Sequence, residues 1–158
     1  MKAHSPTETK LIYTHEDFEE TVKYFSKYVE EYPNIVLFSI YQGSLTLGHR
    51  LSKEFSLPHS ILKYQRIDGK DKSVSVLYDA LTEEEYLDKD IFIVDDIWDT
   101  GETMEKCRNY INTFYYFPFG SVNMFCILTN NEKVDGLKFQ HLNKEKHWVK
   151  FLPWEGDL

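Results

Sequence analysis

At 158 residues the chain is long enough for one domain with a sizeable core and short for two. Hydrophobic residues at 42% and aromatic residues at 16% exclude the low-apolar, high-charge composition of a disordered chain. Its 18 basic and 26 acidic side chains leave a formal charge of -8, which repels a nucleic-acid backbone in bulk, so no nucleic-acid partner is expected.

Thr14 stands before Glu16, Asp17 and a run with Phe18, Val22, Phe25 and Val29 at helical spacing. This predicts a helix capped by Thr14, with acidic residues in its first turn and an end at Pro33. Over 34–40, Ile, Val, Leu and Phe follow one another without alternation, as in a central parallel strand buried on both faces. Gly43 and Ser44 turn the chain into a second helix over 45–55, where Leu47, Leu51 and Phe55 recur at four-residue spacing. Pro58 precedes a short strand over 59–64, and strand, turn, helix, strand makes a βαβ unit.

The pattern changes over 65–90. Asp68-Gly69 invites a turn, and 73–78 reads as a partly exposed hairpin arm. The acidic stretch 82–90 is either a solvated loop or short hairpin, or a mobile lid over a site. Residues 91–94 restore a buried strand, and Thr103 caps or begins a helix with Met104, Cys107, Tyr110, Ile111 and Phe114 at core spacing. Pro118 and Gly120 close that helix before a strand over 122–128. Tyr115, Tyr116, Phe117 and Phe119 fit a subunit interface or a cluster at the helix end equally well. The chain is then polar until His147, where an aromatic tail with Trp148, Phe151 and Trp154 either seals the core or lines a pocket for a flat ligand.

The alternation predicts an α/β fold in one domain, 1–158, with a mostly parallel central sheet flanked by helices on both faces. Apolar runs such as 35–40 and 124–128 are far shorter than a membrane span, so no membrane partner is expected. No apolar leader core follows Met1, because Lys2, His4, Glu8, Thr9 and Lys10 interrupt the start. Cys107 and Cys126 are too few and too far apart for a disulfide framework or zinc knuckle, and read as buried thiols in a reducing cytoplasm.

Segment 91–103, IFIVDDIWDTGET, carries the chemistry. Ligands of open α/β sheets bind beyond the C-terminal strand ends. A helix start there points the backbone amides of Thr100, Gly101, Glu102 and Thr103 outward, beside the hydroxyls of Thr100 and Thr103, which makes a monophosphate site without lysine or arginine. Gly101 permits close approach of the backbone. Asp95 and Asp96 are candidates to hold the two hydroxyls of an attached ribose, since carboxylates accept hydrogen bonds in pairs. Composition alone also allows a solvated loop behind two acidic residues.

A hydrophobic strand, two acidic residues, two further residues, Asp-Thr-Gly, one residue and Thr resembles the ribose-phosphate motif of type I phosphoribosyltransferases. The resemblance extends over most of the chain and is nearest to the short bacterial xanthine-guanine and hypoxanthine enzymes. It implies transfer of a 5-phosphoribosyl group from 5-phosphoribosyl 1-diphosphate to a 6-oxopurine (guanine, xanthine or hypoxanthine), with pyrophosphate released and a purine nucleoside monophosphate formed. Mg2+ is implied as cofactor, bound mainly through substrate oxygens and near Asp95 and Asp96. A homodimer or homotetramer, a flexible lid over 65–90 and a small C-terminal hood over 129–158 are implied as well.

The same resemblance assigns roles by position. Asp99 matches the carboxylate that handles the proton at purine N7. Tyr41, Gln42, Gly43 and Ser44 match the pyrophosphate loop, but a basic residue is usual where Gln42 stands. Arg66, Lys70 and Lys72 are lid candidates that would neutralise pyrophosphate. Trp148 matches the aromatic residue that stacks on the base, while Thr129 stands where the family has a lysine for the 6-oxo group. Thr129 or Asn130 then offers a neutral donor, or Lys133 or Lys138 reaches in. These departures leave open a phosphoribosyltransferase for another base, or a non-catalytic nucleotide-binding regulator.

Overall fold

The computed structural model describes residues 2–3, 10–66 and 68–156. Most of the start read as free of a leader lies outside them, as do residue 67 of the lid segment and the last two positions of the hood. The elements run β1 (Lys2–Ala3), β2 (Lys10–Tyr13), α1 (His15–Glu31), β3 (Ile35–Tyr41), α2 (Leu45–Phe55), β4 (His59–Arg66) and β5 (Lys72–Tyr78). A single 3-10 turn, Glu84–Tyr86, leads to β6 (Asp90–Trp98), α3 (Glu102–Phe114), β7 (Ser121–Thr129), β8 (Leu137–Leu142), β9 (Trp148–Phe151) and α4 (Leu152–Glu155).

Helix α1 starts as its sequence dictates. Thr14 Oγ1 accepts the Asp17 amide at 3.1 Å, and Asp17 Oδ2 accepts the Thr14 amide at 2.8 Å, so two donors left open by a helix start satisfy each other's partners. The helix ends at Glu31 because Tyr32, before Pro33, takes extended backbone. Helix α2 presses closely on the sheet: a Cβ on Gly48 would meet Ser39 Oγ at 1.6 Å.

Six strands form the main sheet in the order β5-β4-β3-β6-β7-β8, and only β5 runs antiparallel to its neighbour. The α/β, mostly parallel architecture is therefore as the sequence predicts. Helices cover both faces, which explains the unbroken apolar run in β6: Phe92 and Val94 join the core with α1 and α2, while Ile91 and Ile93 join Met104, Cys107 and Ile111 of α3. Both cysteines are free and buried.

Three details correct the sequence reading. Strand β8 lies in a stretch read as polar turns, and it extends the sheet beside β7. Phe114 is 69% exposed rather than in the core, because α3 ends there; of the aromatics that follow, Tyr115 and Phe117 pack inward while Tyr116 and Phe119 point outward. The aromatic tail divides as well: Phe151 stacks on Trp154 at 4.8 Å and both contact Tyr13, sealing the core, whereas Trp148 is 70% exposed.

A second, smaller sheet joins the two ends of the described chain. In it β2 pairs with β1 and, in parallel, with β9, matching Lys10 to Trp148 and Tyr13 to Phe151. The segment read as lid or hairpin is a hairpin in its first half, with β4 and β5 paired from Ile61↔Tyr78 to Arg66↔Lys72. In its second half Tyr86 is buried and donates to Asp79 Oδ1 at 2.8 Å.

Candidate active site

Strands β3, β6 and β7 are parallel neighbours, so their C-terminal ends open on one edge of the sheet. Asp95 and Asp96 lie there, but inside β6 rather than at its end, because pairing with β7 continues to Ile97↔Leu128 and Trp98↔Thr129. Asp95 Oδ1 accepts the Asp96 amide at 2.9 Å and Asp96 Oδ1 accepts the Ile97 amide at 2.8 Å. Successive strand residues point to opposite faces. Asp96 accordingly faces the loop after β3, where a Cβ on Gly43 would stand 3.8 Å from its Oδ2. The Asp95 carboxylate adds to the effect of burial in pushing the Cys107 thiol up to about 12. Burial raises both carboxyls above the usual range; for Asp95 the charge of Asp96 adds to it.

In the loop after β3, Ser44 is fully buried, and its hydroxyl accepts the Ile40 amide at 2.7 Å and donates to the Ile40 carbonyl at 3.0 Å. That hydroxyl shapes the turn, and Tyr41, Gln42 and Gly43 stand exposed on it. The Tyr41–Gln42 peptide is cis.

Beyond β6, residues 97–104 wall a hollow of about 100 Å³. Gly101 holds φ at 83°, and a Cβ there would meet the Trp98 indole at 2.2 Å, so glycine is required by both backbone and space. Gly101 at the N-cap gives α3 no side-chain cap, in contrast to Thr14 of α1. The first turn of α3, Glu102 to Met104, lines the hollow and brings the positive end of the helix dipole to it. Thr100 Oγ1 accepts the Glu102 amide at a long 3.3 Å. The Glu102 carboxylate turns to the hairpin and accepts the Tyr64 hydroxyl at 2.7 Å, so Glu102 offers this hollow its backbone.

A second hollow, about 420 Å³, adjoins the first and shares Ile97, Trp98 and Asp99 with it. Asp96, Asn130, Lys146, His147 and Trp148 also line it. Asp99 Oδ1 accepts Asn130 Nδ2 at 2.9 Å and lies 3.6 Å from Lys146 Nζ. Thr129 is fully buried; its hydroxyl donates to the Asn131 carbonyl at 2.9 Å and accepts the Asn131 amide at 3.1 Å, which commits its proton within the turn. Lys138 lies instead over the rings of Tyr28 and Tyr32. Sequence reasoning missed Lys146, since nothing local distinguishes one lysine in a polar turn from another.

Arg66 and Lys72 face each other across the hairpin, Lys70 sits in its turn, and none of the three lines either hollow. Among the described residues no group of three or more His, Cys, Asp or Glu side chains is gathered for a metal, and no helix is long and apolar enough to cross a membrane. A larger hollow of about 520 Å³, walled by Tyr86, Tyr110, Phe114 and Tyr115, lies by the C-terminal turn of α3 and the segment entering β6. It is at the opposite end of the sheet from the acidic pair.

The α3 start, Asp96 and the indole of Trp148 thus gather around two adjoining hollows beyond the C-terminal ends of the parallel strands of an α/β sheet, where such folds bind their ligands. The chain belongs to the phosphoribosyl transferase domain family, which matches residues 9–148. No curated protein sequence matches it. Its fold is similar to that of a purine phosphoribosyltransferase from Pyrococcus horikoshii, with a TM-score of 0.74 at 20% identity over 95% of this chain and 97% of that one. It is similar also to the Helicobacter pylori xanthine-guanine-hypoxanthine phosphoribosyltransferase, with a TM-score of 0.69 at 19% identity over 92% and 94% of the two chains. A Neisseria gonorrhoeae protein described with bound ppGpp gives a TM-score of 0.66 at 15% identity over 95% and 92%.

Proposed function

We propose that this protein transfers the 5-phosphoribosyl group of 5-phosphoribosyl 1-diphosphate to a 6-oxopurine, releasing pyrophosphate, in purine salvage. The observation that carries the reading is Asp99: it belongs to the wall shared by the two hollows, which supports a role between a base in one and a ribose phosphate in the other. The first-turn amides of α3 and the hydroxyls of Thr100 and Thr103 take the 5-phosphate, Asp95 and Asp96 the ribose hydroxyls, and Trp148 the face of the base. Asp99 accepts the proton that the purine loses as the glycosidic bond forms.

Magnesium fits the donors present, since Asp95 and Asp96 offer hard carboxylate oxygens of the kind it takes alongside substrate phosphates. When bound, it would neutralise charge on the departing pyrophosphate. Closure of the hairpin would bring Arg66, Lys70 and Lys72 toward the same charge and exclude water. Two buried, unpaired thiols suit a reducing cytoplasm, and the outward Tyr116 and Phe119 suit a homodimer or homotetramer.

The test is a product-resolved assay with magnesium, 5-phosphoribosyl 1-diphosphate and hypoxanthine, guanine or xanthine. Formation of the corresponding monophosphate is expected; turnover of a different base alone would redirect the substrate, and no nucleotide with any base would overturn the reading. A second reading, nucleotide binding without turnover, draws on uncharged Gln42 in the pyrophosphate loop and on the gonococcal protein with bound ppGpp. It predicts that a purine nucleoside monophosphate binds by calorimetry while its pyrophosphorolysis is undetectable.

A further inference from the structure

The hollow of about 520 Å³ at the C-terminal turn of α3 takes no part in the proposed reaction, yet its walls are chemically selective. Asp79, Glu83 and Glu84 bring three carboxylates to it, and no lysine, arginine or histidine is among the described residues that line it. Asp79 is held in place: its Oδ1 accepts the hydroxyls of Tyr86 and Tyr115, each at 2.8 Å, and Tyr86, its own proton thus spent, accepts from Ser60 at 2.9 Å. Glu83 and Glu84 are exposed, and among the described residues neither side chain has a hydrogen-bond or ion-pair partner. Between the carboxylates stand aromatic rings, with Tyr86 and Tyr115 4.9 Å apart edge to face and Tyr110 and Phe114 4.7 Å apart.

Rings and carboxylates favour the same ligand charge, because the face of an aromatic ring attracts a cation. An anion would meet three like charges, and the hydroxyl protons of Tyr86 and Tyr115 are already committed to Asp79. A bare metal ion fits poorly too: among the described residues no three carboxyl groups are gathered closely enough to share one. A ligand that answers all three carboxylates is therefore extended, carries several positive charges and has apolar surface between them. The volume lies within the range of small-molecule sites, about 300–1,000 Å³.

We infer that this hollow is a binding site for a small organic polycation of the polyamine class, its ammonium groups meeting Asp79, Glu83 and Glu84 and its methylenes lying against the rings. The site is walled by the return strand of the hairpin through Val76 and by the end of α3, and it stands whether or not the proposed reaction does.

The experiment is calorimetry of spermidine with wild type and three variants, each first shown to melt like wild type. One spermidine per chain is expected, with Glu83→Gln/Glu84→Gln weakening it about tenfold through two lost solvated charge pairs. Phe114→Leu, which removes an exposed ring and keeps apolar bulk, should weaken it about threefold. Glu30→Gln/Glu31→Gln, on the exposed end of α1, takes away the same charge elsewhere and should leave the affinity unchanged. Neither butylamine nor magnesium at the spermidine concentration should displace it. Absence of binding, equal loss in the two double variants, or displacement by magnesium would overturn the site, the last two by showing only diffuse attraction to an acidic protein.

Discussion

Tyr64 donates its hydroxyl proton to Glu102 Oε1 at 2.7 Å, tying hairpin strand β4 to the first residue of helix α3. Glu102, above burial, pushes the tyrosine up to about 12, so the donor keeps its proton through the neutral range. The contact holds a carboxylate away from the place where a phosphate would bind. Tyr64→Phe should release that carboxylate and weaken ribose 5-phosphate binding about fivefold, equivalent to ~1 kcal/mol for one like-charge contact in a solvated site. Adding Glu102→Gln should recover most of the loss; calorimetry on the double-mutant cycle checks it, and additive losses would refute the repulsion argument.

Gly101→Ala should damage the phosphate hollow and the fold together. A left-handed backbone costs alanine about 1–2 kcal/mol, and the added methyl would sit 2.2 Å from the Trp98 ring. Both a lower Tm and a loss of ribose 5-phosphate binding are expected. Gly43→Ala, with its nearest contact at 3.8 Å, should melt like wild type yet raise KM for 5-phosphoribosyl 1-diphosphate, because the methyl intrudes only on an arriving ligand.

Asp99→Asn keeps the shape and the contact with Asn130 while removing the proton acceptor. Nucleotide formation should slow by about 100-fold to 10,000-fold, the range of general base catalysis, with ribose 5-phosphate affinity unchanged. Single-turnover kinetics beside calorimetry separate the two quantities. Equal turnover would take Asp99 out of the proton-transfer step.

Asp95→Asn should stabilise the unliganded protein while impairing ribose binding. Burial and the neighbouring Asp96 raise the Asp95 carboxyl well above 3.8, so its contribution to stability is full below the unfolded value and is lost as pH rises through the folded one. At neutral pH the ionised group is a cost that asparagine lacks. Calorimetric scans should put the mutant above wild type by about 2–4 °C for each 1 kcal/mol relieved, with the difference closing in acid. Coincident melting at neutral pH would mean that the ionised pair is already compensated.

How much of this was legible depends on where the information lies. The Thr14–Asp17 capping box and the apolar spacing of α2 are local, and both helices stand where the sequence predicts them. The smaller hollow is local too, because 97–104 make its walls. Strand β8 is not: in Leu137–Leu142 all side chains but the last are partly buried beside β7, a partner thirteen positions away whose register no short pattern discloses. Side-chain commitments are equally hidden, as with the Thr129 hydroxyl spent on Asn131, the Glu102 carboxylate turned to Tyr64 and Lys146 carried to Asp99.

The two hollows draw on very different parts of the chain. A single uninterrupted stretch walls the smaller hollow, whereas the wall of the larger carries Trp148 on β9, a strand held by β2 at the other end of the polypeptide. If the proposed reaction holds, substitutions scattered toward either terminus would retune which ring is admitted and leave the sugar-phosphate grip intact, so the same frame would change clientele without relearning its chemistry.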